Sequence, residues 1–347
     1  MKTIDFRSDT VTQPTLKMRE AMMNAEVGDD ILGEDKTVKQ LEEYAAKLFK
    51  RDSAMFVVSG TMANQIAIMT MTNRGEEVIL SKNSHMYNLE VAGLATLSQV
   101  QVRPLGTNQG RYDLHELKKS IRARGIQNPK TAVIALENTY NLNEGLALPV
   151  DYFREIKALS KENNLYTYLD GARLFNAAVA TNSKLSDYSV NVDALQVCLT
   201  KGLAAPIGSL LIGDGEFINK ARWMRQRIGG GMRQAGHMAA AGYIALSEMR
   251  DRIKKDHINA KHLAHNLKNI NDCLINLNQV QTNILNINLK NFKLSAIDFS
   301  KELLKENIKV KVVGENNCRL VTHKDITKSD IDYTTQTIKN IINKSKL

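Results

Sequence analysis

Seven short strand-like runs punctuate the chain at residues 56–58, 77–80, 101–105, 131–136, 165–169, 194–199 and 208–212, and each stops at a polar or glycine-bearing stretch. Helical spacing falls between several of them. Val38, Leu41, Tyr44, Ala45 and Leu48 share a face within residues 36–50, and residues 63–71, 114–124 and 151–162 carry further helical patterns. Runs that are largely apolar, rather than alternating, suit strands buried on both faces. The alternation therefore predicts an α/β fold, a mostly parallel seven-stranded sheet covered by helices on both sides. From about residue 249 the pattern changes to a helix over 252–268, strand runs at 284–289, 310–313 and 319–322, and helices at 295–306 and from 328 onward. The expected organisation is an amino-terminal arm at 1–15, a large domain at 16–248 and a small C-terminal α+β domain at 249–347.

With 347 residues, 43% of them hydrophobic, the chain can bury the cores that this plan needs. The net charge of +10 raises the question of a nucleic-acid partner. Much of the excess sits late in the chain, where lysines alternate with apolar or acidic residues on helical stretches and read as solvated faces. No zinc-finger spacing and no base-stacking strand pair accompanies them, so no nucleic-acid partner is expected. The opening residues include acids and no apolar run, no segment has the length of a membrane span, and Cys198, Cys273 and Cys318 show no metal-ligand spacing. A soluble, reduced, cytoplasmic protein without a metal follows as the expectation.

Two tracts carry the chemistry. Tyr168-Leu169-Asp170-Gly171-Ala172-Arg173 and Cys198-Leu199-Thr200-Lys201-Gly202 each read as a strand entering a polar loop, separated by about one strand-helix-strand unit. A carboxylate can keep a pyridine nitrogen protonated, a lysine can form a Schiff base with an aldehyde, and an arginine can grip a carboxylate. Together they suggest pyridoxal phosphate chemistry on an amino acid. Ser59-Gly60-Thr61-Met62-Ala63-Asn64 lies where a strand enters a helix, so Gly60, Thr61 and their amides could receive a phosphate. His85, in the loop after the run at 77–80, could stack on an aromatic ring or move a proton. Taken singly, each has a plainer reading: a capped helix start, a helix cap at Asp170, a surface lysine, a structural histidine. His115, His257, His262 and His265 read as surface positions on helices.

The motifs together resemble the L-threonine aldolase family. They are Phe6-Arg7-Ser8-Asp9-Thr10-Val11-Thr12, Gly28-Asp29-Asp30 with Gly33-Glu34-Asp35, Ser59 to Asn64, Asp170 to Ala177, Lys201-Gly202-Leu203, and Gly229 to Gly236. The resemblance implies a fold type I, aminotransferase-like pyridoxal 5′-phosphate enzyme, usually a homotetramer with active sites completed across a dimer interface. It implies cleavage of L-threonine and L-allo-threonine to glycine and an aldehyde, with a β-eliminating lyase as the alternative. Lys201 would hold the cofactor, Asp170 would pair with its ring nitrogen, Gly60 and Thr61 would hold its phosphate, and His85 would stack on the ring. Ser8, Arg173 and Arg319 match positions that bind the substrate carboxylate, and Arg233 matches one that reaches a neighbouring subunit's cofactor phosphate.

Four positions depart from the family pattern. Glu137-Asn138-Thr139-Tyr140 has a phenol where a histidine near the substrate hydroxyl is common, so Tyr140 is expected beside the substrate as a hydrogen-bond donor and poor base. Leu32 replaces a tyrosine beside the cofactor, Tyr168 a histidine, and Ala204 a glycine.

Overall fold

The structure, a computed structural model, describes residues 2–142 and 144–344; residues 345–347, the end of the expected small domain, lie outside the described residues. Its strands run in chain order as β1 (Ile4–Asp5), β2 (Ser53–Val57), β3 (Glu77–Ser81), β4 (Gln101–Leu105), β5 (Thr131–Glu137) and β6 (Tyr166–Asp170). They continue as β7 (Ala194–Cys198), β8 (Ser209–Gly213), β9 (Ile284–Asn288), β10 (Ile308–Lys309), β11 (Lys311–Val312) and β12 (Asn317–Val321). The seven-stranded sheet has the order β2-β8-β7-β6-β5-β3-β4. From β4 to β7 the neighbours are parallel, and β8 is antiparallel to both β7 and β2. The mostly parallel sheet expected from the sequence is therefore present.

Neighbouring residues in these strands serve different cores. Phe56, Ile79, Ile134, Leu136, Leu210 and Ile212 pack on one face, whereas Met55, Val57, Val78, Leu80, Val133, Ala135 and Leu211 pack on the other. Strand geometry turns successive side chains to opposite faces, so a continuous apolar run fills two cores at once. Helices supply the cover. Lys36–Phe49 buries Val38, Leu41, Ala45 and Phe49 on the first face, and Gly60–Met71 buries Ala63, Ile66 and Ala67 on the second. The edge strand β4 is partly exposed and contains Pro104, as suits a position with one unpaired side.

β9, β11 and β12 make a second, antiparallel sheet that shares a core with the helices Ile253–Ile270, Ala296–Lys305 and Lys328–Lys344. The amino-terminal arm belongs to this core as well. β1 pairs in parallel with β10, Phe6 is fully buried, and the Phe6 carbonyl accepts from Val321 N–H at 2.8 Å. Pinned there, the arm passes directly to the carboxyl ends of β5, β6 and β7. Strand ends of a parallel sheet share one edge, and that edge carries the candidate residues.

Two local expectations need correction. The helix expected over 114–124 ends at Ser120, because Arg122 is drawn into an ion pair with the buried Glu77 and its N–H donates to Thr131 Oγ1. His257 is not a surface position: it is 6% exposed, lies within hydrogen-bonding distance of Asn176, and is held down to about 4 by burial and then by Lys261.

Gly208 precedes β8 with φ +108°, and a Cβ there would stand 2.3 Å from the ring of buried Phe56. Gly208→Ala is expected to lower unfolding stability by about 1–3 kcal/mol, through backbone strain and overpacking together. Denaturant unfolding midpoints of the two proteins check this.

Candidate active site

β5, β6 and β7 end side by side, and their cross-strand register places Glu137 opposite Asp170 and Asp170 opposite Gln196. A cavity of about 320 Å³ opens at these ends, lined by Gly60, Thr61, His85, Asp170, Arg173 and Lys201 among others. A larger surface groove of about 640 Å³, near Lys50, Lys184 and Lys254, contains none of the expected site residues. The chemistry-bearing groups therefore converge on the smaller space.

Asp170 is buried, and all of its hydrogen bonds come from neutral donors. Gln196 Nε2 donates to Oδ1 at 2.6 Å, Ala172 N–H donates to Oδ1 at 3.1 Å, and Asn64 Nδ2 donates to Oδ2 at 3.0 Å. Asn64 also donates to Glu90 Oε1 at 2.7 Å, and its own oxygen accepts from Tyr168 OH at 2.7 Å. Tyr168 thus orients the amide that steadies Asp170. Glu90 is buried too, taking Gln65 Nε2 at 2.8 Å and facing His85 Nδ1 at 2.8 Å. A carboxylate can only accept, so Nδ1 carries the hydrogen and Nε2 is left for other chemistry. The hydrogen bond to Glu90 raises His85 above its ordinary value. His85, Glu90 and Asp170 bring ligand-type atoms within 4.8 Å of one another, yet their oxygens are engaged by amides, as suits a ring nitrogen better than a metal.

Lys201 follows β7 in a left-handed conformation, φ 61°, and Nζ lies 3.3 Å from Cys198 Sγ. Opposite it, the helix Gly60–Met71 begins with Ser59 as its cap, and a Cβ on Gly60 would lie 3.0 Å from Cys198 Sγ. Only a glycine leaves that approach open. A buried carboxylate, an amine and a glycine-bearing helix start around one cavity fit pyridoxal 5′-phosphate: acid to ring nitrogen, amine to aldehyde, amides to phosphate.

The other wall is cationic. Arg173 grips Asp9 in two parallel bonds, Nε to Oδ2 at 2.9 Å and Nη2 to Oδ1 at 2.6 Å, with both side chains almost fully buried. Burial alone would push Asp9 up, but the charge and hydrogen bonds of Arg173 overcome it and hold the carboxyl at about 2. Arg173 Nη1 and Arg319 Nη1 both donate to Asn141 Oδ1, at 3.1 and 3.2 Å. Among the described residues Arg319 Nε is buried without a partner, and burial followed by the nearness of Arg173 lowers the guanidinium to about 10. Two guanidiniums with one carboxylate leave an excess of positive charge, which a small carboxylate can satisfy.

The structure brings Lys201, Asp170, Arg173, Gly60, Thr61 and His85 to one cavity. Arg319 reaches its margin through Asn141. Ser8 caps the short turn Asp9–Val11 and lies outside the lining. Arg233 is largely exposed and paired with Asp29, also away from the cavity. The expectation for Tyr140 is corrected: the side chain is 1% exposed, and its hydroxyl bonds Ser81 and Thr107 instead of meeting the cavity. The cause is alternation beyond β5. Asn138 is tied to the backbone of Leu148 and Tyr140 packs against Gly110, whereas Glu137 and Thr139 line the cavity. Leu32 is well exposed, and Ala204 adopts φ 64° where a glycine would be unstrained.

The sequence motifs contain Asp9, Asn64 and Glu137 without assigning them a role, and Glu90, Asn141 and Gln196 stand outside them. Gln196 carried a signal, a polar residue inside an apolar run. Glu137 carried another, ending its run as Asp170 ends the next one.

The Beta-eliminating lyase family profile matches residues 5–290. The chain is 40% identical to low-specificity L-threonine aldolase 1 of Arabidopsis thaliana, over 96% of this chain and 95% of that protein. It is 38% identical to the low specificity L-threonine aldolase of Escherichia coli strain K12, over 94% of this chain and 96% of that one. The solved structure of Leishmania major threonine aldolase superposes with a TM-score of 0.82 at 18% identity, covering 98% of this chain and 99% of the other. That likeness speaks to the fold.

Asp9→Asn would leave the buried Arg173 without its carboxylate. A loss of about 3 kcal/mol in unfolding stability is expected. Asp9 lies at about 2 against an ordinary 3.8, so its contribution is complete above pH 4 and is lost as pH falls through about 2. Unfolding free energies measured across that acid range should show this limb in the wild type and a flatter one in Asp9→Asn.

Proposed function

Because the chain belongs to the beta-eliminating lyase family, with full-length relatives among the threonine aldolases, we propose that it is a low-specificity L-threonine aldolase. It cleaves L-threonine, L-allo-threonine and related β-hydroxy-α-amino acids to glycine and an aldehyde. The observation that carries this reading is the two-sided cavity, an amine and a buried carboxylate facing two arginines that share Asn141. One side suits an electron-withdrawing cofactor and the other an amino-acid carboxylate.

Pyridoxal 5′-phosphate supplies, when bound, the electron sink that accepts the pair of the breaking Cα–Cβ bond. Lys201 Nζ would hold its aldehyde carbon, Asp170 would keep a proton on the ring nitrogen, and the amides at Gly60 and Thr61 would hold its phosphate. Arg173 and Arg319 bind the substrate carboxylate. Fixing that group stops rotation about Cα and so decides which of its bonds is broken. His85, with Nδ1 held by Glu90, takes the hydroxyl proton on Nε2 in place of Tyr140, which is turned away.

The finer reading is a cytoplasmic homotetramer with sites completed at a dimer interface, to which Arg233 contributes. No helix among the described residues is long and apolar enough to cross a membrane. Large apolar side chains left exposed at Leu16, Met23, Leu32, Val91 and Trp223 support association.

The holoenzyme is expected to release acetaldehyde and glycine from both threonine diastereomers, measured by coupled aldehyde reduction. Lys201→Ala should lose the cofactor's visible absorption band and nearly all turnover. Pyruvate and ammonia from serine, with no aldehyde from any β-hydroxy amino acid, would make the β-eliminating lyase the correct reading.

A further inference from the structure

Glu137 stands in the cavity wall at the end of β5, 6% exposed. Both of its oxygens are taken by backbone N–H groups. Oε2 accepts from His85 N–H at 2.7 Å and Oε1 from Asn141 N–H at 2.8 Å. These amides belong to separate segments. His85 opens the short helix His85–Asn88 after β3, and Asn141 lies beyond β5 with its side-chain oxygen shared by Arg173 and Arg319. We propose that Glu137 is a positioning residue, a latch that ties the His85 segment to the Asn141 segment and so holds the imidazole and the arginine pair in one register.

The chemistry of a carboxyl group makes such a latch depend on charge. Ionised, Glu137 offers an acceptor oxygen to each amide. Protonated, one oxygen becomes a donor, and one of the two amides loses its partner.

The groups that face it come from several elements. Asp170 lies opposite on β6 and repels its charge, while His85 and Arg173 attract it. The phenols of Tyr112 and Tyr140 also stand near. Burial first, and then Asp170, push Glu137 up to about 7, against the pull of the two amides and His85. The latch is accordingly closed above that pH and loosened below it. Its structural part stands on the polypeptide alone, and its kinetic part rests on the aldolase reading.

Hydrogen exchange of the holoenzyme, read by mass spectrometry on peptides carrying His85 and Asn141, tests it. At pH 8, Glu137→Gln should speed exchange at one or both amides by about tenfold or more, the effect of losing a hydrogen bond to a charged acceptor. Corrected for intrinsic rates, the wild type should lose protection there between pH 8 and pH 6, and the variant should show no such step. In kinetics, the variant should raise KM for L-threonine severalfold with a smaller change in kcat. Unchanged protection at both amides, or loosening spread evenly over β5 and β6, would overturn the latch. Should the variant fail to fold, the wild type decides alone, since exchange at both amides as fast as in an unprotected chain at pH 8 overturns the latch equally. Altered protection without any aldehyde release would leave the latch standing and defeat the aldolase reading instead.

Discussion

A guanidinium taken out of water must find a carboxylate, and for Arg173 that carboxylate is Asp9. Much of the molecule is arranged to bring the two together. Arg173 comes from the loop after β6, deep in the large sheet, while Asp9 comes from an arm anchored to the strands of the second sheet by β1 and Phe6. Asn283, beside β9, also reaches toward Asp9 with Nδ2 3.4 Å from Oδ2, and it accepts from Asn176 at 3.1 Å. One ion pair therefore fastens the arm, the parallel sheet and the small sheet at a single point. Replacing a buried ion pair with apolar residues of similar volume often costs little stability, but here the arginine's remaining donors face the site.

The cavity is polarised as a result. Glu90, Glu137 and Asp170 stand on one side, satisfied by Asn64, Gln65, Gln196 and backbone amides, and among the described residues bonded to them only His85 can carry positive charge. Arg173, gripped by Asp9 of the arm, and Arg319, from β12 of the second sheet, stand on the other side. Each wall is hydrogen-bonded before any ligand arrives, so little reorganisation is needed when charge shifts from a substrate toward a ring. Neutral amides are suited to this task because they fix the carboxylates without neutralising them.

The large sheet was legible because its strands are largely apolar and break at polar turns, and those breaks put Asp170 and Lys201 at the same edge. Gly60, Thr61, His85 and Arg173 were legible as well, since each follows a strand directly. What sequence spacing could not carry was the direction of side chains past a strand's end. Tyr140 and Glu137 sit three positions apart, and the backbone beyond β5 turns the acid inward and the phenol outward. Glu90 and Asn141 were hidden for another reason. They act through partners distant in sequence, and nothing in their immediate neighbours marks them. His257 misled in the same way, its helical periodicity giving no sign that a helix of the smaller core packs against Asn176.

The pairing of β1 with β10 sets Ile4 against Ile308. A ribosome releases the first of these residues long before the second, so the arm has no strand to join until nearly all of the chain has emerged. Until then Arg173 lacks a properly placed Asp9, and the cationic wall exists only in outline. The parallel sheet can form earlier from contacts closer in sequence, which carry a smaller loop-closure cost. The order of synthesis thus separates folding from competence: the nascent chain can hide its hydrophobic surface first and gain a finished binding wall last.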